Sequence, residues 1–357
     1  MPRRLVATVA LVLLVGAAPG QPPDRPPLPA GDPPPPAGDG LFPDDPRPAR
    51  PPWQRRPSVD DPSSLRPDDY APQASVRWNA PQPVQYQPTT LGLVRLEAAT
   101  PIPILRDQDD LFVAGVRVRS TSFQTRAVLP DSGRAFPRQL WTLTTGFNYT
   151  HQFGDGVSAG MLVRFGSDSD KPFNSWNELT PGLGGFVRFP AAAEPDYWQI
   201  SLTYFPTYIS RYPLPGLVYE WNPDPDLRVG IGLPFSLFWR PHPLVNLDVS
   251  YVPLAQLTSR LNFDPRPGFR AYAGYDWQSE GYFLTDRPNR ADLFFVNDMR
   301  VLGGVRYTAA GRVAIDLSAG YGFNRQFGMG PNALSLSYDR VRVNGGGFGA
   351  AAVLVFF

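Results

Sequence analysis

Three features of this 357-residue sequence predict an all-β fold, an antiparallel transmembrane β-barrel of about 12 strands (about 10 to 14) behind a proline-rich segment. From residue 89 onward the apolar residues recur with period 2, in segments rich in Val, Tyr, Phe, Thr and Gly and poor in helix formers. Within a segment one parity collects charge and glycine while the other collects apolar bulk. The segments match the roughly 9 to 11 residues that a tilted strand needs to cross a bilayer, more than the usual 5 to 6 of a soluble strand.

The chain divides into three parts. In residues 1–20, Arg3 and Arg4 precede the apolar run Leu5 to Val15 and the small residues up to Ala18-Pro19-Gly20, the order of a secretory signal peptide. The run is too short to span a hydrocarbon core of about 30 Å. Residues 21–88 hold 21 of the 44 prolines, among them Pro33-Pro34-Pro35-Pro36. Such a stretch cannot offset its conformational entropy by apolar burial, so it reads as a disordered linker, a spacer or tail with a possible periplasmic or cell-wall partner. Residues 89–357 form the barrel. Strands are expected at 91–99, 111–121, 139–152, 156–167, 183–190, 197–209, 215–221, 227–239, 244–252, 268–278, 298–308, 312–324 and 347–357, with 334–343 as a possible addition. Tight turns and long connections alternate as far as residue 240, as in a meander with turns at one rim and loops at the other.

Composition excludes several kinds of chemistry. A formal net charge of +1 offers no electrostatic footprint for nucleic acid. Without cysteine there is no disulfide frame, thiolate metal site or thiol nucleophile, and His151 and His242 are a small stock for zinc or proton-shuttle chemistry. No cofactor and no metal site is expected. Gly156-Val157-Ser158-Ala159-Gly160 spells a nucleophile elbow, yet a strand follows Ser158 where that chemistry needs a helix. An outer-membrane lipid hydrolase using Ser158 with His151 is therefore only a second alternative, and the protein is expected not to be an enzyme. Gly345 to Ala350 fits a dinucleotide pattern but enters a strand, and Asp107, Asp109 and Asp110 lack a calcium-loop spacing.

The charged parity is the best functional feature. Arg95, Glu97, Arg117, Arg119, Arg164, Arg228, Asp248, Arg270, Asp276, Arg300, Arg306 and Asp316 are expected to line the lumen. A charge facing hydrocarbon costs about 2–4 kcal/mol at the midplane, so these must meet water or one another. Screened by water they make a porin-like passive channel for small polar or anionic solutes; paired, they fill a non-conducting structural or binding barrel. Trp141, Trp198, Trp221, Trp239 and Trp277 lie near strand ends and are expected to form an aromatic girdle against outer-membrane lipid.

The last strand, ending in Phe357 with Val355 and Val353 at alternate positions, resembles the assembly signal of bacterial outer-membrane β-barrel proteins. That resemblance implies export, residence in the outer membrane and recognition of Phe357 by the barrel-assembly machinery. Residues 216–328, with Gly216 to Arg228, Tyr275-Asp276-Trp277, Asp298-Met299-Arg300 and Gly320 to Arg325, resemble an uncharacterised family of predicted exported β-barrels, which implies architecture and no activity.

Overall fold

A computed structural model describes residues 71–107, 109–192, 195–207, 213–309, 312–332 and 335–356; residues 1–20, read as a signal peptide, most of the proline-rich segment and Phe357 lie outside the described residues. The strands are β1 (Gln73–Pro83), β2 (Thr90–Arg106), β3 (Asp110–Thr125), β4 (Gln139–Gln152), β5 (Ser158–Ser169), β6 (Gly182–Pro190), β7 (Tyr197–Tyr204), β8 (Leu214–Asp224), β9 (Leu227–Leu233), β10 (Phe235–His242), β11 (Val245–Val252), β12 (Gln256–Arg266), β13 (Phe269–Tyr282), β14 (Leu293–Ala309), β15 (Val313–Gly330), β16 (Tyr338–Val343) and β17 (Gly346–Val355).

Each strand pairs antiparallel with the next, and β1 pairs with both β2 and β17, which closes the ring. β16 and β17 both lie along β15 and are one strand interrupted at Asn344-Gly345. The barrel therefore has 16 strands, not about 12, among the described residues.

Three strands separate the 13 segments expected from sequence from the 16 of the ring. β1 lies inside the stretch read as linker, so the barrel begins before residue 89; Val76 and Trp78 face outward and Arg77 inward, and its prolines sit at the end where the ladder breaks. The expected strand 227–239 is a hairpin, β9 and β10. Its register pairs Ser236 with Gly230 and Phe238 with Arg228, so Leu227, Val229, Ile231, Leu233, Phe235, Leu237 and Trp239 stay on one face through the turn. Alternation passes the apex undisturbed, and Gly232, at φ 147° where any Cβ would meet the Leu217 carbonyl, marks the approach to it. β12 was hidden by its Asn, Asp and Pro residues.

The start of the first strand and the end of the last lie at one rim, since Gln73 pairs with Leu354. The connections at that rim are brief, such as 153–157, 225–226 and 267–268. The far rim carries the longer loops 126–138, 170–181, 205–213, 283–292 and 331–337, although the turns at 234 and 253–255 there are short.

The far rim is uneven. β2, β14 and β15 are 17, 17 and 18 residues long, whereas β9, β10 and β11 are 7, 8 and 8. Above the low wall, β13 bends inward and meets β5, eight steps away around a ring of sixteen. Phe283 donates its amide to the Asp168 carbonyl (2.8 Å), and the Asp170 amide donates to the Phe283 carbonyl (3.3 Å), as a parallel bridge between Ser169 and Phe283. Asp170 Oδ1 also accepts from the Thr285 amide (2.8 Å) and hydroxyl (2.9 Å). The upper storey is thus a smaller closed ring of β13, β14, β15, β16, β1, β2, β3, β4 and β5.

That storey holds the main hydrophobic core. Leu91, Leu93, Phe123, Leu140, Phe294, Val296, Phe327, Met329 and Val341 point into it, with Leu129 and Phe136 of the β3–β4 loop. The Phe136 ring meets those of Phe123, Phe327 and Phe294 edge-on at centroid distances of 5.2, 5.2 and 5.6 Å. Buried Asp339 clasps the loop: it accepts from the Asp131 and Ser132 amides (3.0 and 2.8 Å), the Ser132 hydroxyl (2.8 Å) and Arg134 Nη2 (3.2 Å).

Candidate functional site

Two adjacent side chains on a strand face opposite ways, so one contact across the ring fixes the inner parity of the whole sheet. Arg95 of β2 reaches Glu280 of β13 through two hydrogen bonds, 3.1 and 2.7 Å, and Arg119 of β3 also donates to Glu280. These strands are not neighbours, so the contacts run through the interior. Register then carries that parity around the ring, and all twelve charged residues named from sequence lie on it. A round barrel of sixteen strands spaced about 4.8 Å and tilted about 40° is ~30 Å across. Direct contact between β2 and β13 means that this side of the wall is drawn inward.

The charges on the drawn-in side form chains. Glu97 accepts from Arg117 Nε and Arg119 Nε, both at 2.8 Å. Asp276 pairs with Arg260 (2.7 Å) and Arg300 (3.4 Å). Asp298 lies within 3.3 Å of Arg325, 3.6 Å of Arg300 and 3.9 Å of Arg77. Asp316 accepts from Arg306 Nε (2.9 Å) and the Tyr272 hydroxyl (2.6 Å). Arg95 and Arg300 are buried, and so are Glu280, Asp298 and Arg325.

The other residues named from sequence stand apart from these chains. Arg164 pairs with Asp168 at 3.0 Å, Arg270 with Asp264 near the turn at 267–268, and the Arg228 guanidinium lies over the Phe238 ring at 4.8 Å. Asp248 lies opposite Phe238 and Arg260. On this side the inner face is incompletely covered: Leu162, though inward, retains 38% of its surface.

Sequence reading missed Arg77, Arg260, Glu280, Asp298 and Arg325. Glu280 and Asp298 continue the parity of Asp276 and Arg300 and were within reach of the same argument. Arg77 and Arg260 sit on strands that were not recognised. Arg325 turns inward only because β15 bulges at Asn324, where φ is 48°.

The outer face carries the complementary pattern. Trp141, Trp198, Trp221, Trp239 and Trp277 all point outward, the first and last toward the far rim and the other three toward the near rim; Trp78 adds one more on the far side. Between them run Leu183, Ile200, Leu217, Leu261, Val301, Val305, Ile315 and Leu317, all exposed. On β14 the band from Met299 to Tyr307 spans about 21 Å at about 3.4 Å per residue and about 40° tilt, near the ~25 Å of a lipid-facing belt. Beyond it the faces exchange character: Gln124, Arg126, Asn324, Arg340 and Arg342 face outward and are exposed, while the phenylalanine cluster lies inside. On the last strand Val353 and Val355 face outward, as their pairing with Ile315 and Val313 requires; the terminal aromatic position lies outside the described residues.

Ser158 and His151 cannot act together. Ser158 pairs with Gln152 on the inner face, whereas His151 is on the outer face with Nδ1 2.8 Å from Asp110. In the loops, Arg287 gives its donors to the carbonyls of Leu284, Arg290 and Asn177, and burial holds its guanidinium below the ordinary value. No cluster of His, Asp and Glu with metal-site geometry occurs among the described residues.

No protein-family model matches the sequence, so the likeness of residues 216–328 to an exported-barrel family gains no support there, and no curated protein matches either. Solved structures with a similar course are outer-membrane barrels. The β domain of the Bordetella autotransporter BrkA is 10% identical over 81% of this chain and 100% of that one, with a TM-score of 0.31. The Pseudomonas putida toluene transporter TodX is 10% identical over 84% and 93%, with a TM-score of 0.38. A Pseudomonas aeruginosa FadL homologue is 11% identical over 80% and 90%, with a TM-score of 0.35. Likeness at this level says nothing of substrate.

Proposed function

We propose that the protein is an outer-membrane channel whose aqueous route follows the low wall, along the inner face of β6 to β12, and passes small polar or anionic solutes by passive diffusion. The observation that carries this reading is the division of the far mouth by the Ser169–Phe283 bridge. One lobe is filled by the phenylalanine core and closed to water. The other keeps an inner face of part-exposed polar and arginine side chains, among them Arg188 and Arg228. Arginine-lined walls favour anions over cations by the logic of charged rings in channels.

The outward apolar belt supports lipid as the partner of the outer face, and the near rim, with its brief turns, faces the periplasm on this reading. A cell-wall or envelope component is the proposed partner of the proline-rich segment, and the final strand the element taken up by the assembly machinery.

A non-conducting structural or binding barrel is the second reading, favoured by the direct Arg95 and Arg119 contacts with Glu280. Purified protein in a planar bilayer separates the two. The channel reading expects discrete conductance with a reversal potential shifted toward anions; a barrel that is inserted, heat-modifiable on gels and silent would leave the second.

A further inference from the structure

The chains of charge on the drawn-in wall do not balance locally. Glu280 is matched by Arg95 and Arg119, Glu97 by Arg117 and Arg119, and Asp316 by Arg306 and Tyr272. Arg77, Arg300 and Arg325 share Asp298 as their counter-charge, with a long contact of Arg300 to an Asp276 already held by Arg260 at 2.7 Å and a 3.4 Å hydrogen bond from Arg300 Nη2 to Gln278 Oε1. Their side chains retain 12%, 9% and 1% of their surface. Arg77 Nε, Arg300 Nε and both Nη atoms of Arg325 donate no hydrogen bond to the protein, and the Asn79 amide nearby is equally unsatisfied. Guanidinium stays charged at any physiological pH, so these groups cannot relieve the imbalance by losing a proton. A buried cation and its unmade hydrogen bonds are costly until an anion and acceptors are supplied.

The space for one is present. A cavity of ≈ 230 Å³ opens beside Arg77 and Arg300, with Ser75, Gln278 and Ser318 among its polar walls. Its floor is kept low by Ala350 and Ala352 of β17. The carboxylates that also line it, Glu97 and Asp316, are each bound to guanidinium groups and present little uncompensated charge.

We infer that this cavity binds a small inorganic oxyanion, phosphate or sulfate, between the Arg77 and Arg300 guanidiniums. The anion accepts from the Arg77 and Arg300 guanidiniums, which line the cavity; the Ser75 and Ser318 hydroxyls and the Gln278 amide complete its shell. Arg325, behind Asp298, adds positive potential. Tetrahedral oxyanions suit the planar donor fork of arginine better than a spherical halide does. The site is independent of conduction, because it lies on the filled side of the barrel.

The test is calorimetric titration of the full-length, detergent-folded protein with sodium phosphate, sodium sulfate and sodium chloride at constant ionic strength. Saturable one-to-one binding of an oxyanion is expected, weakened about tenfold or more by Arg77→Gln and by Arg300→Gln, and unchanged by Arg240→Gln at the near rim. Because Arg300 is buried and its variant can misfold, Arg77→Gln and the charge-keeping Arg77→Lys decide the matter, with heat-modifiable mobility as proof of folding. Absence of oxyanion binding, or binding that a folded Arg77→Gln leaves intact, overturns the inference; so does binding of chloride equal to that of phosphate.

Discussion

The tall half of the wall, β13 through β1 to β5, and the low half, β6 to β12, begin with the same alternation and end in different ways. Through the belt both put apolar residues outward and polar ones inward, as Ile315 and Asp316 do on one side and Leu247 and Asp248 on the other. The low strands stop where the belt stops. The tall ones continue, and beyond Tyr321 their outer residues become Asn324 and Gln326 while Phe327 and Met329 go inside. A side chain's direction is thus set by what lies on each side at that height. In lipid the greasy face turns out; in water it turns in, and the ring must narrow to nine strands to bury it.

The comparison breaks if the two halves respond alike to loss of an inner aromatic. Phe327→Ala removes a fully enclosed ring from the upper core and is expected to cost about 3–5 kcal/mol. Phe238→Ala, on the low wall beneath the Arg228 guanidinium, is expected to cost about 1 kcal/mol. Urea unfolding followed by heat-modifiable gel mobility measures both, and equal losses would mean that the low half holds a packed core as well.

A smaller effect sharpens the account of the β3–β4 loop. Asp339→Ala leaves the amides of Asp131 and Ser132 and Nη2 of Arg134 without this acceptor, at an expected cost of about 1–3 kcal/mol. Amide exchange should accelerate across residues 127–136 while the low wall between 227 and 252 keeps its protection. Unchanged exchange in the loop would show that the phenylalanine contacts alone hold it.

Much of this was legible in sequence where lipid lies on one side and the lumen on the other. Arg300 against Val301, and Asp316 against Leu317, announce their faces by parity alone. The rest was obscured for identifiable reasons. The β9–β10 hairpin preserves parity through its apex; β12 spends polar residues on the lumen and ends in Asn262-Phe263-Asp264-Pro265; β1 hides among prolines. On β15 the upper core defeats a parity argument, because the bulge at Asn324 moves the inner face from even to odd positions, so that counting from Asp316 directs Phe327 into lipid. The proposed anion cavity was hidden because Arg77, one of its two arginines, falls on β1.

The exchange of faces along β15 is the claim on which the membrane reading stands, and the absence of native cysteine makes it directly measurable. Single substitutions Ile315→Cys, Leu317→Cys, Tyr321→Cys, Gln326→Cys and Arg342→Cys, in protein folded into phospholipid vesicles, can be tested for reaction with a membrane-impermeant maleimide. The first three are expected to stay unlabelled and the last two to label fully. Labelling of Ile315→Cys and Leu317→Cys at the rate of Gln326→Cys would place the whole strand in water and contradict the account.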